Sequence, residues 1–402
     1  YYETLDKKHT IQKFLFLGER IYYGYVPIGM LDVDLNRILT FNEVERARVG
    51  FGVHTNKKFS KRLRLGLFAG YGIEDERIKY GVDLNYILPD VFFGEYRGYF
   101  SHDLKESGSP FFMFDRYQYS TETLRRFRLK VLDMVTETGH GIYFHPLNNL
   151  DVGAEVNLSV HQPTYSYQYN SDKSSSFQFT ELRQGLRYAI REKYYKIEDR
   201  KFSLGTSYPI FYLQLSQSLG GFAGKYPYQK IDLKIEENIK ILRIGLSKIQ
   251  FIAGVTSGST PYMKLYNEKG SRKGTYFLIH NSFETMGYNE FLSDRYYSVF
   301  YTHSFGRIYY GHRNIQPSIS MMHNAGVGWL SAPEKHTVMS FPFKTMEKGY
   351  YESGAMVENI LVLGLGGLKT GFGIGFFYRY GPYSSLKGSE NLVLKFALNF
   401  GI

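Results

Sequence analysis

The chain has 402 residues, with 37 tyrosines, 32 phenylalanines, no cysteine and a net charge of +11. So high an aromatic content excludes a disordered chain, and the lack of cysteine excludes disulfides and thiolate chemistry. The basic excess suits anionic lipid headgroups as well as nucleic acid, and no basic run is long enough to choose nucleic acid.

No transmembrane helix is readable. The longest nearly uninterrupted apolar run, 360–368, is broken by Gly364, Gly366 and Gly367, whereas a spanning helix needs about 20 apolar residues. Residues 1–40 alternate poorly and read as a lead-in from an upstream region, the start at Tyr1 being taken as processing or trimming. From residue 41 to 402 the pattern has a period of two, the signature of strands whose side chains face opposite sides. Ala47, Val49, Phe51 and Val53 alternate with Arg46, Arg48, Gly50, Gly52 and His54. Leu63, Leu65, Leu67, Ala69 and Tyr71 alternate with Arg62, Arg64, Gly66, Phe68 and Gly70, and Val82 and Leu84 flank Asp83. In mid-chain Val152, Ala154, Val156 and Leu158 alternate with Asp151, Gly153, Glu155 and Asn157. In the last segment Leu392, Leu394, Phe396, Leu398, Phe400 and Ile402 form one apolar face, opposite Lys395 and Asn399.

Runs of about 10 residues fit tilted strands crossing a bilayer, and the Gly-rich polar face suits a crowded lumen better than an open surface. The predicted fold is all-β, a transmembrane antiparallel barrel of about 16 strands. The strands fall near 43–54, 61–73, 76–88, 91–103, 151–163, 174–190, 207–219, 227–240, 241–254, 274–282, 294–305, 311–328, 351–363, 371–381 and 391–402, with one or two more in 110–148. A barrel has no free edge, so the first of these strands is expected to pair with the last. Phe396 and Phe400 would then face lipid, and Lys395→Arg on the other face would be nearly silent.

The run "LTFNEVERARVGFGVHTNKKFSKRLRLGLFAGYGIEDERIKYGVDLNY" resembles the start of a Bacteroidota outer-membrane barrel family of unknown function. Further pieces agree, among them "LGTSYPIFYLQLS", "SGSTPYMKLYNEKG", "ETMGYNEFLSDRYYSVFYTHSF" and "YYESGAMVENIL". The resemblance covers nearly the whole chain from Gly24, with Arg46 standing where the family pattern has glycine. It implies an N-terminal carboxypeptidase-regulatory-like domain upstream. More distantly, the C-terminal part is similar to BamA/TamA-type barrels. Those carry an Arg-Gly-Tyr or Arg-Gly-Phe tip on a loop inside the lumen, five strands before the end. Gly287 and Tyr288 match this lumen loop tip, but Met286 replaces the arginine that anchors it by a charge-assisted bond.

Arg46, Arg48, Arg62, Arg64, Asp83 and Glu155 are the lumen-facing charged residues. Charge rings tune pores, but unpaired charges in a plugged barrel are costly. The stronger reading is a neutral network in which Asp83, Glu155, Asp232 and Glu236 balance the arginines. His303, His312 and His323 are predicted on neighbouring strands with Asp294, Ser298 and Glu358 as candidate partners, yet no H-E-x-x-H or paired acidic motif is present. No catalytic residue, metal or cofactor is assigned. Glu74, Asp75 and Glu76 read as a solvated hairpin tip in preference to a cation site. Tyr165, Tyr167 and Tyr169 form either a contact loop for a glycan or protein partner or a hairpin tip at the membrane interface. The lumen is expected to be largely filled, with Phe68 and Phe377 pointing inward and long loops available as plugs. The function expected is a non-enzymatic assembly or scaffold component integral to the bacterial outer membrane, ahead of a solute channel and then a barrel hydrolase. Partners expected are outer-membrane lipid and lipopolysaccharide, surface lipoproteins and other outer-membrane proteins.

Overall fold

Side chains that alternate between two environments hold each run extended, and antiparallel neighbours then satisfy one another's backbone groups. A computed structural model describes residues 24–89, 93–115, 125–170, 174–197, 200–221, 224–272, 276–308, 314–338, 341–365 and 368–401. In chain order the strands are β1 (Tyr25–Ile28), β2 (Leu31–Asp34), β3 (Leu39–Asn42), β4 (Arg46–Thr55), β5 (Leu63–Gly72), β6 (Ile78–Ile87), β7 (Gly94–Glu106), β8 (Leu132–Leu147) and β9 (Leu150–Pro163). They continue as β10 (Tyr167–Tyr169), β11 (Phe177–Ala189), β12 (Lys193–Ile197), β13 (Arg200–Gly205), β14 (Ile210–Ser218), β15 (Tyr228–Ile241), β16 (Gly245–Gly258), β17 (Tyr266–Asn267) and β18 (Gly270–Arg272). The last are β19 (Phe283–Gly287), β20 (Leu292–Ser293), β21 (Arg295–Arg307), β22 (Ser318–Trp329), β23 (His336–Val338), β24 (Met346–Leu365), β25 (Leu368–Tyr380) and β26 (Leu392–Gly401).

Fifteen of these, β4 to β9, β11, β14 to β16, β21, β22 and β24 to β26, form one antiparallel wall in which each pairs with its chain neighbour. Both β2 and β3 ladder on the remaining edge of β4, separated by a single 3-10 turn, Leu35–Arg37. Counted as one interrupted strand, they bring the wall to the expected sixteen. The chain is a transmembrane antiparallel β-barrel. One end carries the longer connections 107–131, 259–294 and 330–345, and the other carries most of the short turns, such as 56–62, 148–149 and 242–244.

Three expectations need correction, and one left open is resolved. The wall begins earlier than residue 41, because Leu31, Asp32 and Val33 already pair with Thr55, His54 and Val53; residues 1–23 lie outside the described residues. The stretch 110–148, expected to hold one strand or two, supplies one among its described residues, β8. The strand placed at 241–254 is Gly245–Gly258, after a turn at which Arg243 has φ 65°. Apolar residues continue through that turn (Ile239, Ile241, Ile244, Leu246), so alternation alone hides it. The run 274–282 contributes no wall strand among its described residues and belongs to the loop between β16 and β21.

The protein is apolar outside and packed inside. Phe376 is 49% exposed while its neighbour Phe377 is 0% exposed. Phe377 joins Leu278, Met322, Met356 and Ala397 in a lumen cluster. Gly354 faces it across β24 and β25, where any Cβ would collide with the Phe377 ring. On β26, Leu392, Leu394 and Phe396 face out, whereas Lys395 and Ala397 are buried in the lumen. The backbone of Phe400 pairs with Thr370, but its side chain lies outside the described residues.

Closure differs from the expectation for 43–54 and 391–402. Among the described residues, β26 ladders only on β25, and β4 ladders on β2, β3 and β5. The expected pairing of 43–54 with 391–402 is not made among the described residues, because the second edge of β4 is taken by β2 and β3, and a seam without a described ladder lies at the free edges of β26 and β3. Two loop segments pad this seam. The Leu278 amide donates to the Phe396 carbonyl (2.7 Å) and the Phe396 amide to the Tyr276 carbonyl (2.6 Å), so 276–278 touches the edge of β26 through a single parallel bridge at Phe277. At the opposite side the Glu43 amide donates to the Leu129 carbonyl (3.2 Å), Arg128 pairs with Glu43 (2.7 Å), and Phe41 meets Phe127 edge-on.

Candidate functional site

The loop 259–294 fills the upper lumen. Its two arms pair as β17 and β20, and Tyr262, Tyr266, Phe283, Met286, Phe291 and Leu292 are all fully buried. A loop enters a barrel only if its backbone and charges find partners there, and the wall supplies them. Glu352 on β24 accepts the backbone N–H of Glu284 (2.8 Å) and of Thr285 (2.8 Å), the Thr285 hydroxyl (2.6 Å) and the Asn324 amide (2.7 Å). Lys395 on β26 binds Glu284 (2.8 Å), the Ser271 carbonyl (3.0 Å) and the Ser271 hydroxyl (3.1 Å). Lys264 reaches Glu181 on β11 (3.0 Å), and Arg379 on β25 reaches Glu290 (3.2 Å). Loop 107–131 braces it further. Arg125 bridges Glu106 (2.6 Å) and the Gly270 carbonyl (3.3 Å), and the Asn267 side chain donates to the Ser107 carbonyl (2.6 Å). Lys395 is thus a fully engaged anchor, and the expected silence of Lys395→Arg is corrected. A guanidinium would have to displace neighbours that already fill the site.

Gly287 and Tyr288 lie in this loop. The Gly287 amide donates to Glu290 (2.7 Å), and the Tyr288 hydroxyl approaches the Arg125 carbonyl (3.5 Å). Met286, where the resemblance calls for arginine, packs among Phe283, Phe291, Met346 and Tyr350. The loop is instead held by Glu352 and Lys395 on the wall. Nothing in local sequence marks these two as anchors, since each is one polar residue on an alternating strand.

Of the six charged residues assigned to the lumen, Arg48, Asp83 and Glu155 sit in it. Arg48 pairs with Glu45 (2.8 Å) and Asp103 (2.7 Å), and His54 with Asp83 (3.3 Å). Glu155 accepts the Tyr143 (2.7 Å) and Tyr99 (3.0 Å) hydroxyls and pairs with Arg183 (3.2 Å). Arg46 is exposed at a hairpin tip, 3.6 Å from Glu74, and Arg62 is exposed at the short-turn end; Arg64, also exposed there, lies at the lumen mouth over the ring of Tyr25, which lines the lumen cavity. Glu236 pairs with Lys234 (3.3 Å). Arg48, Asp83, Glu155 and Glu236 are each paired, but with other partners than expected: strand register brings Asp103 to Arg48 and Arg183 to Glu155, while Glu45 and Lys234 are near neighbours in the chain.

The histidine grouping does not form a site. Ser298 and Glu358 face the lumen, where Ser298 binds Glu268 (3.1 Å) and Glu358 binds Asn399 (3.1 Å). His323 is on the outer face with Ser353 (2.8 Å), and His303 pairs there with Ser247 (2.8 Å). Asp294 instead accepts the Ser331 amide (2.6 Å), and His312 lies outside the described residues. A lumen cavity of about 250 Å³ remains beside Tyr25, Asp34, His54 and Asp83.

Tyr165, Tyr167 and Tyr169 are neither a contact loop nor an interface tip. They are packed in an aromatic cluster with Phe177, Phe179, Tyr228, Tyr262 and Phe341 that caps the long-loop end. In this cap β10 pairs with β23, the Tyr167 hydroxyl lies 3.0 Å from His336 Nδ1, and burial beside Lys335 pushes the His336 pKa down to about 4. A free histidine titrates near 6.5. The folded cap therefore resists protonation that an opened cap accepts, so its stability is full above pH ~6.5 and falls at up to ~1.4 kcal/mol per unit as pH drops toward 4. Hydrogen exchange of the 167–169 amides, corrected for intrinsic rates, should rise through that window, and His336→Phe should flatten the profile. A pH-independent parent would refute this.

Residues 150–337 match a family described as "Family of unknown function (DUF5686) C-terminal domain". None of the curated proteins matches the chain in sequence. In structure it is similar to BamA from Haemophilus ducreyi lacking POTRA domains 1–3, with a TM-score of 0.55 and 11% identity over 90% of this chain and 69% of that one. It is also similar to CdiB from Escherichia coli, with a TM-score of 0.51 and 7% identity over 92% of this chain and 62% of that one. The chain thus spans less than two thirds of CdiB's length. The shared feature is the fold of an outer-membrane β-barrel.

Proposed function

We propose that this barrel is integral to the bacterial outer membrane and serves there as a non-enzymatic assembly or scaffold component, with a lumen closed to solutes. The observation that carries this reading is the pinned lumen loop, tied to β11, β24, β25 and β26 through Lys264, Glu352, Arg379 and Lys395. An open pore would have no use for a plug held at four points of the wall. The seam supports the same reading. Among the described residues the second edge of β26 is covered only by segment 276–278, held there by two backbone bonds, and such a cover parts at lower cost than a strand ladder. A strand edge so freed is a template for another extended chain, which suits work on membrane-embedded partners, including surface lipoproteins and other barrels. The sequence motifs shared with Bacteroidota barrels support an origin in that phylum, and the usual disposition of such barrels puts the short turns toward the periplasm.

Planar-bilayer recording from purified protein tests the closed lumen. We expect no large steady conductance from the parent, and brief openings from a variant lacking loop residues 262–292. A large steady conductance from the parent would overturn this reading and favour a channel for small solutes.

A further inference from the structure

The short-turn end carries a surface that the lumen loop does not use. Turn 56–62 reads Asn56-Lys57-Lys58-Phe59-Ser60-Lys61-Arg62, and no acidic residue occurs from Arg46 to Ile73. Lys58, Lys61, Arg62 and Arg64 are exposed, and Phe59 stands 50% exposed among them. Beside it is the tip of the β1–β2 hairpin, where Ile28 is 62% and Met30 58% exposed.

Asn56 joins the two turns into one unit. Its amide donates to the Met30 carbonyl (2.9 Å), and its side-chain nitrogen donates to the Gly29 carbonyl (3.1 Å) and to Asp32 (3.1 Å). The Asn56 side-chain oxygen accepts the Lys58 amide (3.0 Å), and Ser60 Oγ accepts the Leu63 amide (3.1 Å). The unit is thus built, with its three apolar side chains and its cations held in fixed relation.

Water is a poor environment for such a group of large apolar side chains. The boundary of a bilayer accommodates both chemistries, because apolar groups enter the acyl region while Lys and Arg extend to phosphates. The unit also continues the lipid-facing belt, in which Phe51, Leu65 and Leu67 are exposed on the adjoining strands β4 and β5. An acidic protein surface would match the cations but leave the continuity with the belt unused. We propose that turn 56–62 and the Gly29–Met30 tip together form an anchor that binds anionic phospholipid headgroups of the leaflet at the short-turn end.

The test uses the whole barrel in nanodiscs of phosphatidylcholine containing a minor fraction of phosphatidylglycerol. Retained lipid is counted by native mass spectrometry after detergent extraction. The parent should enrich phosphatidylglycerol, and Lys58→Glu, Lys61→Glu and Arg62→Glu should each lower that enrichment, by roughly fivefold for each cation removed at low salt. Lys58→Gln with Lys61→Gln provides a milder arm if the acidic changes block folding, which heat-shifted gel migration reports. Phe59→Ser with Met30→Ser should reduce retention of both lipids without changing their ratio. No enrichment by the parent, or equal enrichment by parent and charge variants, would overturn the proposal. So would displacement of phosphatidylglycerol by millimolar inorganic phosphate, which would mark a simple anion site, or unchanged retention in the Phe59 and Met30 variant.

Discussion

Lys395→Met is expected to destabilise the folded barrel by about 3–5 kcal/mol, the cost of removing one partner from a buried ion pair. Lys395 is 0% exposed and lies against Glu284, itself 1% exposed. Methionine preserves the side-chain length, so the loss is one of charge and hydrogen bonds and not of volume. Glu284 would retain donors in the Ile279 amide (2.9 Å) and the Ser271 hydroxyl (2.8 Å) but lose its cation. Adding Glu284→Gln should therefore recover a large part of the loss, because a neutral amide no longer needs that cation. Urea unfolding followed by gel mobility measures each variant, and protease sensitivity of 259–294 reports whether the loop has left the lumen. Equal stability of Lys395→Met and the parent would show that the pin between β26 and the loop contributes nothing. A double variant no better than the single one would place the cost elsewhere than in the stranded carboxylate.

Phe396→Arg, one residue along, is expected to cost about 2–4 kcal/mol for a different reason. Phe396 is 47% exposed on the outer face near the middle of β26. In the membrane that exposure is to acyl chains, and a guanidinium there must either lose hydration or draw water and headgroups inward. The backbone bonds that tie Phe396 to Tyr276 and Leu278 do not involve the side chain, so the seam should stay padded. Leu386→Arg is the control: Leu386 is fully exposed but belongs to the loop 381–391 beyond the belt, and the change should be nearly silent. The readout is folding efficiency into lipid vesicles against urea. Tolerance of Phe396→Arg, with loss of folding for Leu386→Arg, would mean that the outer face of β26 has been assigned wrongly.

The amino-acid sequence by itself determined that the chain is a barrel and which face of its clearest strands meets lipid. Alternation carries that information because each residue has to suit one of two environments, and the last segment, with Leu392, Leu394 and Phe396 against Lys395, leaves one solution. The plug was only partly legible. Lumen filling follows from inward aromatics such as Phe377, but the alternating run around Leu278 reads as a wall strand, since a packed lumen is as apolar as a bilayer and the same pattern serves both. The tyrosines 165, 167 and 169 were opaque for the same reason: an aromatic that looks interfacial in sequence is equally suited to a buried cap. Tertiary structure alone decided who pairs with whom. Arg48 meets Asp103, and Lys395 meets Glu284 at a distance of 111 positions in the chain, because register and the path of a returning loop set those contacts. It also decided what lies on the second edges of β4 and β26, which are met by β2 and β3 and by 276–278. No periodicity within a single strand records which backbone edge that strand will lie against.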